Sequence, residues 1–263
     1  MAILAAAVLT TTACGGSGKA ASSAASPGVP VASTGTTADT APASSTATTA
    51  GTAAATASTS VLDATLTTDQ ISKLLLTGKD ESGYTYDPSQ DGKEITNTQD
   101  VVTTGGSACQ TFVDAFEGLR SKYGTSAEVD RQLTNASTGQ AIEDSVMAVG
   151  TADRALEMIS DLTTGIKDCK SLTVTQSGLS VSMAPTAIPE MVRDGQVGYI
   201  NYLNGGGKTS LMASEVVHVG TAVSVIAIIE PPTNDNAALQ QLGTTLVHLS
   251  DVQVERLKNA QGL

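Results

Sequence analysis

Val223-Ser224-Val225-Ile226-Ala227-Ile228-Ile229, closed by Glu230-Pro231-Pro232, decides the fold. Its alternate positions are apolar on both sides, which marks the centre of a sheet, and the two prolines end it because they have no N–H for a ladder. Immediately upstream, Val197 to Leu203 and Thr209 to Val219 read as two more strands, joined by the turn Asn204-Gly205-Gly206-Gly207. Leu172-Thr173-Val174-Thr175 and Leu179-Ser180-Val181-Ser182-Met183 form a hairpin around Gln176-Ser177-Gly178. Two further strands are expected at about 129–135 and 140–149, the second ended by Gly150.

Helical periodicity fills the intervals. Thr67-x-x-Gln70 is a capping box that opens a helix burying Ile71, Leu74 and Leu75 and ending near Gly78. Tyr84-Thr85-Tyr86 reads as a short strand, and Asp91-Gly92 as a turn that joins hairpin arms. Ser107-x-x-Gln110 opens a second helix, with Cys109, Phe112, Val113, Phe116, Leu119 and Tyr123 at helical spacing. Thr151 caps a third, whose stripe is Ala155, Ile159, Leu162, Ile166 and Cys169, and Leu239, Leu242, Leu246 and Leu249 mark a last one with a break near Ser250-Asp251. Runs of adjacent strands with helices between them predict an α+β fold: an antiparallel β-sheet with helices packed mainly on one face.

The N-terminal quarter is of another kind. The apolar run Ile3 to Leu9 passes through Thr10-Thr11-Thr12-Ala13 to Cys14-Gly15-Gly16, an arrangement that looks like a bacterial lipoprotein signal, although Thr11 stands where such signals carry Leu. Residues 1–13 are read as the signal peptide and Cys14 as the lipidated N-terminus that attaches the chain to the outer side of the cell membrane; the alternative is a secretory segment with a chance cysteine. Of the 46 residues at 15–60, 42 are Ala, Ser, Thr, Gly or Pro. With almost nothing to bury, residues 14–61 are expected to be a disordered tether, and 62–263 a single globular domain.

The net charge of −12 lies almost wholly outside the tether and disfavours nucleic acid as a partner. If Cys14 is acylated, Cys109 and Cys169 remain in a compartment where disulfides persist, each on the apolar stripe of its helix. A bridge is expected, against two buried free thiols or a zinc half-site, and zinc has no Cys or His pair at ligand spacing to support it.

Thr67-Thr68-Asp69-Gln70-Ile71-Ser72-Lys73-Leu74-Leu75-Leu76-Thr77, then Gly83-Tyr84, one cysteine opening a helix and another ending the next, resembles the extracytoplasmic sensor-like domains of actinobacterial lipoproteins. It is similar also to the external part of PknH-type serine/threonine kinases. The resemblance covers about residues 65–260. It implies an α/β fold with a ligand-receiving cleft, no catalytic residues to transfer, and sensing of a small ligand or an envelope protein.

Signals for enzymes are weak. The folded part has no Gly-x-Ser-x-Gly elbow and no Ser-x-x-Lys. Gly207-Lys208-Thr209 imitates the end of a phosphate loop, but Tyr202 occupies the position of the first glycine, so a hairpin turn is expected. His218 and His248 are read as structural. Glu143-Asp144, Glu215 and Glu230 are weighed as a cleft acid and base against ordinary exposed acidic faces, and Asp80-Glu81 with Asp87 to Asp91 as calcium ligands without the EF-hand pattern. No cofactor and no metal is expected. With five tyrosines and no tryptophan, Tyr199 and Tyr202 beside Arg193 are the candidate ligand-binding cluster, set against simple strand packing. Three functions follow in order: a non-enzymatic lipid-anchored sensor-like or accessory domain; a carrier of lipid or other apolar molecules, which needs a large apolar cavity; and a secreted hydrolase.

Overall fold

In a computed structural model, the described residues are 65–93, 101–176 and 179–263. The signal peptide, Cys14 and the tether therefore lie outside the described residues. The strands are β1 (Val101–Thr104), β2 (Ala127–Asn135), β3 (Gln140–Ala148), β4 (Leu172–Gln176), β5 (Leu179–Met183), β6 (Thr186–Ala187), β7 (Gln196–Gly205), β8 (Lys208–Val219) and β9 (Ala222–Glu230). The helices are α1 (Thr68–Leu74), α2 (Gly106–Phe116), α3 (Arg120–Tyr123), α4 (Ala152–Asp168) and α5 (Asn236–Gln261). One sheet runs in the order β1-β4-β5-β7-β8-β9-β3-β2, with β6 alongside β7, and every pairing is antiparallel.

The α+β class and the antiparallel sheet are as the sequence predicts; the placement of helices is not confined mainly to one face. Val223 and Val225 of β9 point with Val197, Tyr199, Met212 and Val216 towards Phe112 and Phe116 of α2 and Met158 and Leu162 of α4. The alternate residues Ile226 and Ile228 point with Leu211 and Ala213 towards Leu242, Leu246 and Leu249 of α5. Farther along the same second face, Val129, Val146 and Ala222 meet Ile71 and Leu75 beside α5's Leu257. All nine residues of β9 are buried, so each face needs its own helical cover.

Local chemistry explains most boundaries. Thr67 and Gln70 exchange both capping-box bonds at α1, and the Thr151 hydroxyl accepts from the Arg154 N–H at α4. Gly206 and Gly207, both at positive φ, make the two-residue β7–β8 turn, so Gly207-Lys208-Thr209 is a hairpin. Tyr84 to Tyr86 contributes a single bridge, Thr85 to Thr134, and Gly92 bridges Asp130; the far arm of the hairpin expected at Asp91-Gly92 lies outside the described residues. Residues 84–93 therefore run beside edge strand β2. The second helix is not capped by Ser107: it starts at Gly106, with left-handed Gly105 before it. It stops at Phe116, Gly118 at φ 58° turns the chain, and Tyr123 belongs to α3. α5 does not break at Ser250-Asp251, because Ser250 faces the sheet and is buried there. Among the described residues no helix is long and apolar enough to cross a membrane.

Cys109 and Cys169 are bonded across α2 and the end of α4, with Cα atoms 4.7 Å apart and a sequence separation of 60. Closing such a loop contributes about 4 kcal/mol in the chain-entropy model. One turn before Cys169, Gly165 lets the two helices touch. A methyl there would lie 2.7 Å from the Cα and Cβ of Phe112 and 2.8 Å from its N. Since backbone cannot yield, Gly165→Ala is expected to lower the unfolding free energy in urea by about 1–3 kcal/mol. Gly243→Ala, with nothing within 4 Å of the added methyl on α5, should raise it by about 0.5–1 kcal/mol.

Candidate functional site

β9 ends at Glu230, the last residue before the prolines, and the β2–β3 hairpin places Asn135 and Gln140 beside it. The chain at Glu81, Ser82 and Tyr84 closes one side, while Ala238, Gln241, Leu242 and Thr245 of α5 close the other. Together with Ile228 these residues line an open cleft of about 270 Å³. Its polar groups form a chain: the Tyr84 hydroxyl donates to Gln140 Oε1 at 3.2 Å, and Gln140 Nε2 donates to Glu230 Oε2 at 2.8 Å. Glu230 is only 9% exposed, and its Oε1 has no partner among the described residues. Burial pushes the Tyr84 phenol up, and the Glu81 and Glu230 carboxylates add to that effect.

The residues singled out as a ligand cluster do not come together. Tyr199 and Tyr202 are three apart on β7, so they face opposite sides of the sheet. Tyr199 is wholly buried, edge-on to Phe112 at 5.6 Å and to Phe116 at 6.4 Å, whereas Tyr202 is 39% exposed on the second face. Arg193 lies in the bend before β7, exposed, with its guanidinium donating to the Glu190 carbonyl at 3.3 Å. His218 is half-buried, and burial holds its imidazole below the ordinary range while nearby Asp194 pulls the other way; His248 is exposed on α5.

The four carboxylates weighed as a cleft pair are all buried, so exposed acidic faces do not explain them. As sequence neighbours on β3, Glu143 and Asp144 point to opposite faces. Asp144 accepts from the Leu76 N–H at 2.5 Å and lies in a network that holds residues 72–91 on β2. There Arg131 grips Asp91 with two bonds of 2.9 and 2.6 Å, donates to the Ser72 and Leu76 carbonyls, and packs over the Tyr86 ring at 4.4 Å. Arg256 of α5 donates to the Leu74 and Leu75 carbonyls and pairs with Asp80 at 2.5 Å. Asp87 accepts from the Ser89 N–H. Asp80, Asp87 and Asp91 thus have structural partners, and no three candidate ligands converge on a metal position among the described residues.

Glu215 is buried between β8 and α5, accepts from Gln196, and is pushed by burial up to about 7; burial likewise raises Asp144 to about 7. Between the ordinary carboxyl range and pH 7 the folded chain therefore holds protons that the unfolded chain has lost. Stability falls as pH rises through that window, on the order of 1 kcal/mol per carboxyl per pH unit. His218 acts oppositely, costing stability as pH falls below its ordinary value. Burial also raises Glu143, to about 8, and Asp130, so with four carboxyls against one imidazole, denaturant melts should give a more stable domain at pH 5.5 than at pH 7.5. Glu215→Gln, which keeps the side chain neutral, should reduce that difference and raise stability at pH 7.5.

A family model described as the PknH-like extracellular domain matches residues 57–240. Among solved structures, the extracellular domain of PknH from Mycobacterium tuberculosis aligns with a TM-score of 0.55 at 13% identity, covering 75% of this chain and 99% of that one. At this identity the likeness speaks for the fold alone. No curated protein sequence matches the chain. Because the family model spans well over half of the sequence, the chain belongs to the PknH-like extracellular domain family, and its domain has the extracytoplasmic setting of that family.

Proposed function

We propose that the protein is a non-enzymatic, lipid-anchored sensor-like domain of the cell envelope whose small ligand sits in the cleft between the end of β9 and α5. The observation that carries this reading is the cleft itself: a concave site in which Ile228, Ala238 and Leu242 sit among convergent polar groups. Its volume, about 270 Å³, is at the low end for ligand sites and suits a small molecule better than a lipid chain. Membership of an extracellular domain family supports the sensor-like role, and an envelope protein is the other partner class this role admits. Cys14 is the proposed attachment point, with residues 15–61 as the tether.

Ala238 is half-exposed at the cleft wall, so a large side chain there fills the cleft without entering the core. A small molecule that shifts the amide resonances of Gln140, Glu230 and Gln241 in the wild-type chain should leave them unmoved in Ala238→Trp. Shifts that persist in the variant would put the ligand elsewhere. For the anchor, a Cys14→Ser chain expressed in its bacterial host should move from the detergent phase to the aqueous phase on phase partitioning; equal partitioning of both chains would remove the lipid from this reading.

A further inference from the structure

The lining of the cleft specifies a charge. It contains two carboxylates, Glu81 and Glu230, three side-chain amides and no Lys, Arg or His. Several of its acceptors are already used. Gln140 Oε1 accepts from Tyr84 and from the Thr138 hydroxyl at 3.1 Å, and Asn135 Oδ1 accepts from Ser137, whose N–H lies at 3.0 Å. Gln140 Nε2 occupies Glu230 Oε2. The buried acceptor left without a donor among the described residues is Glu230 Oε1, a carboxylate oxygen on a side chain about nine-tenths buried. An unpaired buried carboxylate oxygen is costly, and a ligand that donates to it recovers that cost.

Resting on the reading of this cleft as the ligand seat, we propose that it selects small organic cations, taking a primary ammonium group on a short aliphatic body with Glu230 as the anchor. One free oxygen suits a point-charge ammonium, whereas the paired bonds of a guanidinium would have to share Oε2 with the Gln140 amide. Glu81 adds a second negative charge at the rim, and Ile228 and Leu242 receive the aliphatic body. An anionic ligand would meet two like charges with no compensating cation in the lining.

The test is an amide-shift titration of the isotope-labelled full-length chain with three probes of matched length: n-hexylamine, n-hexanol and hexanoate. The amine is expected to shift Gln140, Glu230 and Gln241 saturably and to bind at least about tenfold tighter than the other two, since a hydrogen bond to a charged group carries that much. Glu230→Gln should weaken the amine by about tenfold or more, and Glu81→Gln, a rim change with less bearing on folding, by a smaller factor. Nα-acetyl-lysine methylamide added as a fourth probe tells a free amine from a lysine side chain by which of the two binds more tightly. Equal binding of hexanol or hexanoate at the same amides would overturn the cation preference and leave the cleft as a ligand seat. Silence of all probes at those amides would overturn both.

Discussion

The burial of β9 on both faces is the constraint from which the architecture follows. A strand of Val, Ile and Ala broken only by Ser224 and the terminal Glu230 has no polar face to offer to water, and each fully buried aliphatic side chain is worth about 1.5–3 kcal/mol against leaving it exposed. One helical layer would cover only half of them. The chain therefore supplies two: α2 and α4 for the side of Val223 and Val225, and α5 with α1 for the side of Ile226 and Ile228. Each layer has its own fastener. On the first, the disulfide and the Gly165 contact bind the two helices to each other. On the second, Gln261 is buried beneath the β8–β9 turn, accepting from the Thr221 N–H at 2.9 Å and donating to the Val219 carbonyl at 2.8 Å, which fixes the end of α5.

The second layer also holds the Arg131–Asp91 ion pair, both of whose side chains are buried. α1 is only seven residues long and its last carbonyls have no helical partners, so Arg131 and Arg256 supply the donors from strand and helix. Each arginine is itself balanced by an aspartate, Asp91 for one and Asp80 for the other. Removing either cation would leave carbonyls and a carboxylate unpaired under the apolar cover, a cost of several kcal/mol for the more deeply buried Arg131. Among the described residues Asp144 and Glu215 have no such paired cation at hydrogen-bond distance, so burial dominates them and both are raised into the neutral range. Ion pairing and proton uptake are two solutions to the same desolvation problem, found here on adjacent parts of one face.

What the sequence made legible was local or periodic. The capping box at Thr67, the N-cap at Thr151, the hairpins around β4–β5 and β7–β8, and the apolar stripes that carry both cysteines depend on residues a few positions apart, and the structure bears them out. The distribution of helices over both faces was less legible, because periodicity marks a buried stripe without saying which side of a sheet it meets. Tyr199 and Tyr202 failed as a pair for a reason that alternation already contained: a separation of three on a strand puts side chains on opposite faces. The cleft was the hardest to see. Tyr84, Gln140, Glu230 and Gln241 are separated by long stretches of chain, and the one local hint was a lone carboxylate closing an otherwise apolar strand.

The fastening of α5 is uneven, and this bears on why the cleft lies where it does. Its C-terminal half is locked by Leu257, Arg256 and Gln261, which bind it to α1 and to the β8–β9 turn. Its N-terminal half has Leu242 and Leu246 in the core, but Ala238, Leu239 and Thr245 are half-exposed and Gln241 is exposed. Fewer buried contacts mean a lower local cost of opening, which is the usual property of regions that admit ligands. The same strand that demands cover on both faces ends in Glu230 at this weaker half. The apolar constraint that builds the fold thus stops at the point where a buried carboxylate and a partly exposed helix meet, and the open cleft lies between them.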